Sequence, residues 1–162
     1  MTRRSMLGAL LALAAGCADA SLGEAAPRAA PDFALPSMDG RVWRLSDLRG
    51  RPVVLNFWAS WCAPCRIETP WLVALYRTYC PHGVEFLGVS LDDDRSHAVD
   101  FAKRMAIDYP VLFGTHDVAD AYGGVRLMPE TFFISRAGAI VLSTVGLTGA
   151  VDIDAAIRRL TP

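Results

Sequence analysis

Apolar and polar positions along this chain follow two periods. Val53-Val54-Leu55-Asn56-Phe57-Trp58 is a short apolar run rich in β-branched and aromatic residues, the pattern of a buried strand. From Arg66 to Tyr79 the apolar residues Ile67, Trp71, Leu72, Leu75, Tyr76 and Tyr79 recur at helical spacing. Pro70 falls inside that helix and removes one of its hydrogen bonds. A second buried strand is predicted over Val84 to Ser90, followed by a helix that starts between Asp92 and Ser96 and runs to about Met105. Tyr109 to Phe113 reads as extended, and Val118 to Tyr122 as a short helix stopped by Gly123-Gly124. Thr131 to Ile134 and Ile140 to Gly146 form a hairpin about Arg136-Ala137-Gly138, and Val151 to Leu160 closes the chain as an amphipathic helix. Upstream, Phe33-Ala34-Leu35 and Val42-Trp43-Arg44-Leu45 alternate on either side of Asp39-Gly40, a hairpin signal, and Ser46 and Asp47 are expected to cap one helical turn ending at Gly50. Strand–helix–strand order implies parallel pairing, so the fold class is α/β: a central mixed sheet flanked by helices, with an N-terminal β-hairpin extension.

The chemistry sits where the first buried strand hands over to its helix. There the sequence reads Trp61-Cys62-Ala63-Pro64-Cys65. A helix N-terminus presents unpaired N–H groups and the positive end of the dipole, so a thiolate at Cys62 is favoured and its pKa lowered. Cys65 lies one turn further in, within reach of a mixed disulfide formed at Cys62. Cys62 is therefore assigned as the attacking thiol and Cys65 as the resolving one. Pro64 suits an early helical position because it has no N–H to donate. A structural zinc site is the rival, but it needs a second ligand pair at short spacing, and the other cysteines and His82, His97 and His116 supply none. Glu68 lies three residues past Cys65, on the same helical face, and is a candidate to exchange the proton that Cys65 must lose or gain. Cys80 closes the helix and is expected to be a buried, inert thiol.

Composition and the N-terminus add the setting. The 162 residues hold one domain of ordinary size, and 52% hydrophobic residues suffice for its core. A net charge of −1 gives no electrostatic case for nucleic acid or for acidic substrates. Asp92-Asp93-Asp94 reads as a solvated loop or a helix cap. Residues 1–20 carry Arg3-Arg4 ahead of a short apolar run, an export signal. Ala14-Ala15-Gly16-Cys17 resembles a lipoprotein box that would leave Cys17 as the lipid attachment site, while Ala18-Asp19-Ala20 offers cleavage to a free form; the first is the expected route. Residues 21–31, rich in Ala, Pro, Gly and Glu, read as a flexible tether, and residues 32–162 as the folded domain. Outside the cytoplasm a Cys-x-x-Cys protein either makes disulfides or removes them.

Asn56-Phe57-Trp58-Ala59-Ser60-Trp61-Cys62-Ala63-Pro64-Cys65 resembles a thioredoxin-fold active site. The stretch from Pro31-Asp32-Phe33 to Pro129-Glu130-Thr131 is similar to the TlpA/ResA/DsbE-like branch of that superfamily. The resemblance implies a cis-proline at Pro129, with Met128, Pro129 and Trp61 at the substrate site and the Met128 backbone pairing with an extended substrate segment. ResA-like members use a Glu at the position matched by Glu68, whereas thioredoxins carry an Asp in the preceding strand, where this chain has Asn56. A peroxiredoxin reading fails at Ala59, which stands where those enzymes usually carry Thr.

The resemblance implies an extracytoplasmic thiol–disulfide oxidoreductase that reduces partner-protein disulfides, such as those of apocytochrome c or copper-site assembly proteins. It is expected to be recharged by a membrane thiol–disulfide electron donor and held at the membrane by an N-terminal lipid. No cofactor is implied beyond the Cys62–Cys65 disulfide, and no nucleic-acid partner. An oxidant or isomerase, and a Cu(I) carrier using the two thiols, are the alternatives.

Overall fold

The computed structural model describes residues 27–161; the export signal, Cys17 and the first part of the expected tether lie outside them. Eight strands and four α-helices follow in the order β1 (Arg28–Ala29), β2 (Ala34–Pro36), β3 (Val42–Arg44), β4 (Val53–Trp58), α1 (Ala63–Tyr79), β5 (Glu85–Ser90), α2 (Arg95–Arg104), β6 (Val111–Phe113), α3 (His116–Ala121), β7 (Glu130–Ile134), β8 (Ala139–Val145) and α4 (Ala150–Leu160). Six strands form one mixed sheet in the order β1-β8-β7-β4-β5-β6. β4, β5 and β6 are parallel, and β7, β8 and β1 add antiparallel to one side. The β2–β3 hairpin stands apart and touches the sheet through a bridge from Ser37 to Leu112.

β4 is central and buried at every position, which is why it reads as continuous apolar sequence rather than as an alternation. Val53, Leu55 and Phe57 face a cluster with Phe33, Leu35, Tyr122 and Phe132, under the hairpin and α3. On the opposite face Val54 packs with Leu72, Val73, Phe86, Phe133 and Ile157, beneath α1 and α4. Trp58 continues that face toward Phe101 of α2, the two rings stacked with centroids 4.7 Å apart. Gly88, registered opposite Asn56, leaves the space in which Trp58 and Tyr109 approach the backbone.

Four expectations are corrected. The stretch read as tether includes β1, whose Arg28 and Ala29 pair with Ile140 and Ala139. Two residues carry no period of their own, so only the presence of β8 reveals the strand. Ser46 and Asp47 do not cap the turn after β3; they lie within the 3-10 turn Leu45–Leu48, and Asp32 accepts the Ser46 N–H at 2.9 Å. Within α1 the inward stripe is Cys65, Glu68, Thr69, Leu72 and Val73, while Ile67 is exposed. A buried carboxylate stands where the apolar count placed an isoleucine, and a count of apolar residues is blind to that. Finally, Cys80 is exposed rather than buried, because it ends α1 on the solvent side and starts the 3-10 turn Cys80–His82.

Candidate active site

β4 ends at Trp58, and four residues later the chain turns into α1 with Cys62 as its N-cap. The Cys62 sulfur accepts the N–H of Cys65 at 3.2 Å, so one of the helix's free donors is aimed at the sulfur that is to carry charge. Pro64, at the second helical position, has no N–H that could be left unpaired there. Cys62 and Cys65 form a disulfide, with Cα atoms 5.3 Å apart. Cys62 is 5% exposed and Cys65 1%, which leaves the outer sulfur as the one an incoming partner meets.

Trp61, immediately before the pair, is 67% exposed. The Met128–Pro129 bond is cis and precedes β7, whose Glu130 is registered opposite Phe57 near the catalytic end of β4. Met128 packs against the cluster that holds Cys62, Cys65 and Trp58. The Pro129 carbonyl accepts the Gly146 N–H at 2.7 Å, which fixes the loop from behind. Cys62, Cys65, Met128 and Pro129 are thus brought together, with Trp61 on the rim. Cys80 is not part of the group: it lies at the other end of the 17-residue α1, about 25 Å along the axis.

Glu68 is buried, at 1% exposure, between the helix and the sheet. Its Oε1 accepts from Asn56 Nδ2 at 3.3 Å and its Oε2 from the Thr148 N–H at 2.9 Å, while Asn56 Nδ2 also donates to Thr131 Oγ1 at 2.9 Å. Burial pushes the carboxyl up to about 7, against the downward pull of the Thr148 N–H and the side chains of Thr131 and Asn56. A carboxyl so poised holds or releases a proton near neutral pH, one helical turn past Cys65. Its partners Thr131 and Thr148 come from β7 and the β8–α4 connection, distant in sequence and invisible to local pattern. Glu130 is raised as well, by burial, with Arg28 opposing.

Sequence reasoning missed Asp92. Instead of a solvated loop residue, it is a clamp on the active-site loop. Its carboxylate accepts the Ser60 N–H at 3.0 and 3.1 Å, the Ser60 hydroxyl at 2.6 Å and the Ser90 hydroxyl at 2.8 Å. These are charge-assisted bonds, and they tie the residue two before Cys62 to the end of β5. Asp94, in the same acidic run, does cap α2 by accepting the Ser96 N–H at 2.8 Å. Only the Ser60 and Ser90 hydroxyls near strand ends hinted at a local acceptor.

Comparison with known proteins places this geometry. The profile of the AhpC/TSA family matches residues 27–143. The chain is 37% identical over 134 residues to the thiol-disulfide oxidoreductase ResA of Geobacillus thermodenitrificans, an alignment that covers 82% of this chain and 76% of the relative. It is 36% identical over 118 residues to that of Bacillus subtilis, covering 72% of this chain and 65% of the relative. A crystal structure from Chlorobium tepidum described as a thiol:disulfide interchange protein DsbE superposes with a TM-score of 0.77 at 36% identity, over 83% of this chain and 96% of that one. The sheet order, the flanking helices and the hairpin are therefore those of a thioredoxin fold. With a Cys-x-x-Cys disulfide at the helix N-terminus and relatives of this kind, the chain belongs to the AhpC/TSA family and is a thiol-disulfide oxidoreductase.

Proposed function

We propose that the protein works as an extracytoplasmic reductant of disulfides in partner proteins. Cys62 is the attacking thiolate. It displaces one partner sulfur as a thiolate and forms a mixed disulfide. Cys65 then gives up its proton to Glu68 and attacks Cys62, releasing the second partner sulfur, which is protonated. Two electrons have passed to the partner, and the protein is left with the Cys62–Cys65 disulfide. A membrane thiol–disulfide donor restores the dithiol by the reverse exchange. Trp61, Met128 and Pro129 form the surface on which the partner segment rests.

One observation carries the direction. Glu68 is a buried carboxyl one turn beyond the pair, and its anion would disfavour a second negative charge on the sulfurs nearby. Strong oxidants of this chemistry owe their potential to a stabilised reduced form, and a buried carboxylate works against that stabilisation. The resemblance noted above supports apocytochrome c, whose haem-attachment cysteines must be reduced, or a copper-site assembly protein as substrate. The basic, apolar start of the sequence supports export and an anchor at Cys17.

Equilibrium titration of the Cys62–Cys65 pair against a defined thiol buffer tests the direction. A potential around −270 mV fits a reductant, and one near −120 mV overturns the reading. Mass spectrometry of the native N-terminus tests the anchor, by diacylglycerol on Cys17 against a free Ser21.

A further inference from the structure

The net charge of −1 hides an uneven distribution. Beside Trp61, between α1 and α2, lies an open groove of about 350 Å³ lined by Ser60, Trp61, Arg66, His97, Asp100 and Arg104. Two guanidinium groups and an imidazole face one carboxylate there. Among the described residues, neither Arg66 nor Arg104 has a carboxylate within ion-pair distance, whereas Arg51, Arg77 and Arg158 each have one.

The parts are held in different ways. Arg66 is fastened to the active-site loop, its Nε and a terminal nitrogen donating to the Ser60 carbonyl at 3.3 and 3.0 Å. The Asp92 clamp holds Ser60 from the other side, so the cation at Arg66 has a fixed address beside the residues that lead into Cys62. His97, Asp100 and Arg104 are spaced three and four residues apart on α2 and share one face of that helix. Trp61 lines the groove and, directly before Cys62, adds a large exposed apolar surface to it.

We propose that this groove docks an acidic segment of the partner protein beside its disulfide, with Arg66 and Arg104 receiving carboxylates and Trp61 covering the intervening chain. The Asp92 oxygens are occupied by Ser60 and Ser90, but the carboxylate keeps its charge and offsets part of the groove's positive field, so the segment is received at the Arg66 and Arg104 side. Asp100 sets a limit, since basic partner residues meet only one acceptor in the groove. Rim charges of this kind act chiefly on the rate of encounter, and their effect is lost as salt screens them. The proposal rests on the reading of the pair as a reductant and adds a partner chemistry to it.

The test uses the reduced protein and three disulfide substrates: neutral hydroxyethyl disulfide, and two cyclic peptides in which one Cys-x-x-Cys disulfide is flanked by glutamates or by lysines. At low ionic strength the acidic peptide is expected to react roughly 10-fold faster than the basic one, with the gap closing in about 0.5 M salt. Arg104→Glu, an exposed change on the outer face of α2, is expected to abolish or invert that ratio. Equal rates for the two peptides, or a ratio that Arg104→Glu leaves as it was, overturn the docking proposal alone. If hydroxyethyl disulfide is not reduced either, the reductant reading falls and the proposal with it.

Discussion

Asn56 and Glu68 meet in the interior of the domain: the amide nitrogen of one donates to Oε1 of the other across 3.3 Å, from the central strand to the active-site helix. In this chain the strand supplies the donor and the helix the acid. The titrating group thus lies on the same helix as Cys65, three residues further along.

A pH dependence follows for Glu68→Gln. Between about pH 4.5 and 7 the folded protein keeps a proton at Glu68 that the unfolded chain releases. Stability therefore falls as pH rises through that interval and levels off above it, by up to about 3 kcal/mol. Urea midpoints of the oxidised protein at pH 5 and pH 8 should differ in the direction of greater stability at pH 5. Glu68→Gln should remove most of that difference and shift the pH–rate profile of partner reduction. A midpoint difference unchanged by the substitution would remove Glu68 as its source.

The division of labour between the sulfurs is open to trapping. Cys62→Ser should abolish reduction, because Cys65 is covered by the fold. Cys65→Ser should leave Cys62 bonded to its partner, since nothing resolves the mixed disulfide. Non-reducing gels with a disulfide-bearing partner read both outcomes, and turnover by either single variant contradicts the assignment.

Asp92→Ala removes the acceptor for two groups of Ser60. Charge-assisted bonds of this type contribute about 1.5–3 kcal/mol each after competition with water. The urea midpoint should fall accordingly, and reaction with a partner disulfide should slow as the loop before Cys62 loosens. Asp92→Asn keeps one acceptor oxygen and should lose less of both. Equal losses in the two variants would show that the negative charge, which both remove, holds the loop rather than the acceptor oxygen that Asn keeps.

Gly88→Ala reports on the packing behind the site. A Cβ there would lie 2.9 Å from both Trp58 Nε1 and the Tyr109 ring, so one of the two must move. Both side chains are buried, and the expected cost is about 1–3 kcal/mol, measured as a lower melting temperature. An unchanged melting temperature would mean that the two rings can relax together.

Much of this was legible from local pattern. The strand before the cysteines, the helix after them, the hairpin at Asp39-Gly40 and the proline ahead of β7 all announce themselves within a few residues. Three things did not. Glu68 is buried by Thr131 and Thr148, residues that only the folded sheet brings near, so its environment has no local signature. Asp92 looks like its acidic neighbours until Ser60, 32 positions earlier, is seen at its carboxylate. β1 owes its existence to a partner strand more than 100 positions later. Each of these three is a long-range contact, whereas the successes rest on periodicity or on short local motifs.

The strands that precede the redox core have a role beyond the fold diagram. β1 lies along β8 at one side of the sheet, and the Ser37–Met38 segment lies along β6 at the other, through the Ser37–Leu112 bridge and a 2.9 Å bond from the Met38 N–H to the Val111 carbonyl. Unpaired outer strands are templates for pairing with other chains. The segment from Arg28 to Met38 therefore acts as a pair of bookends. A chain cut back to begin at β4 would keep its cysteines and its helix but expose both flanks of the sheet, and would tend to stack with copies of itself instead of meeting a partner's disulfide.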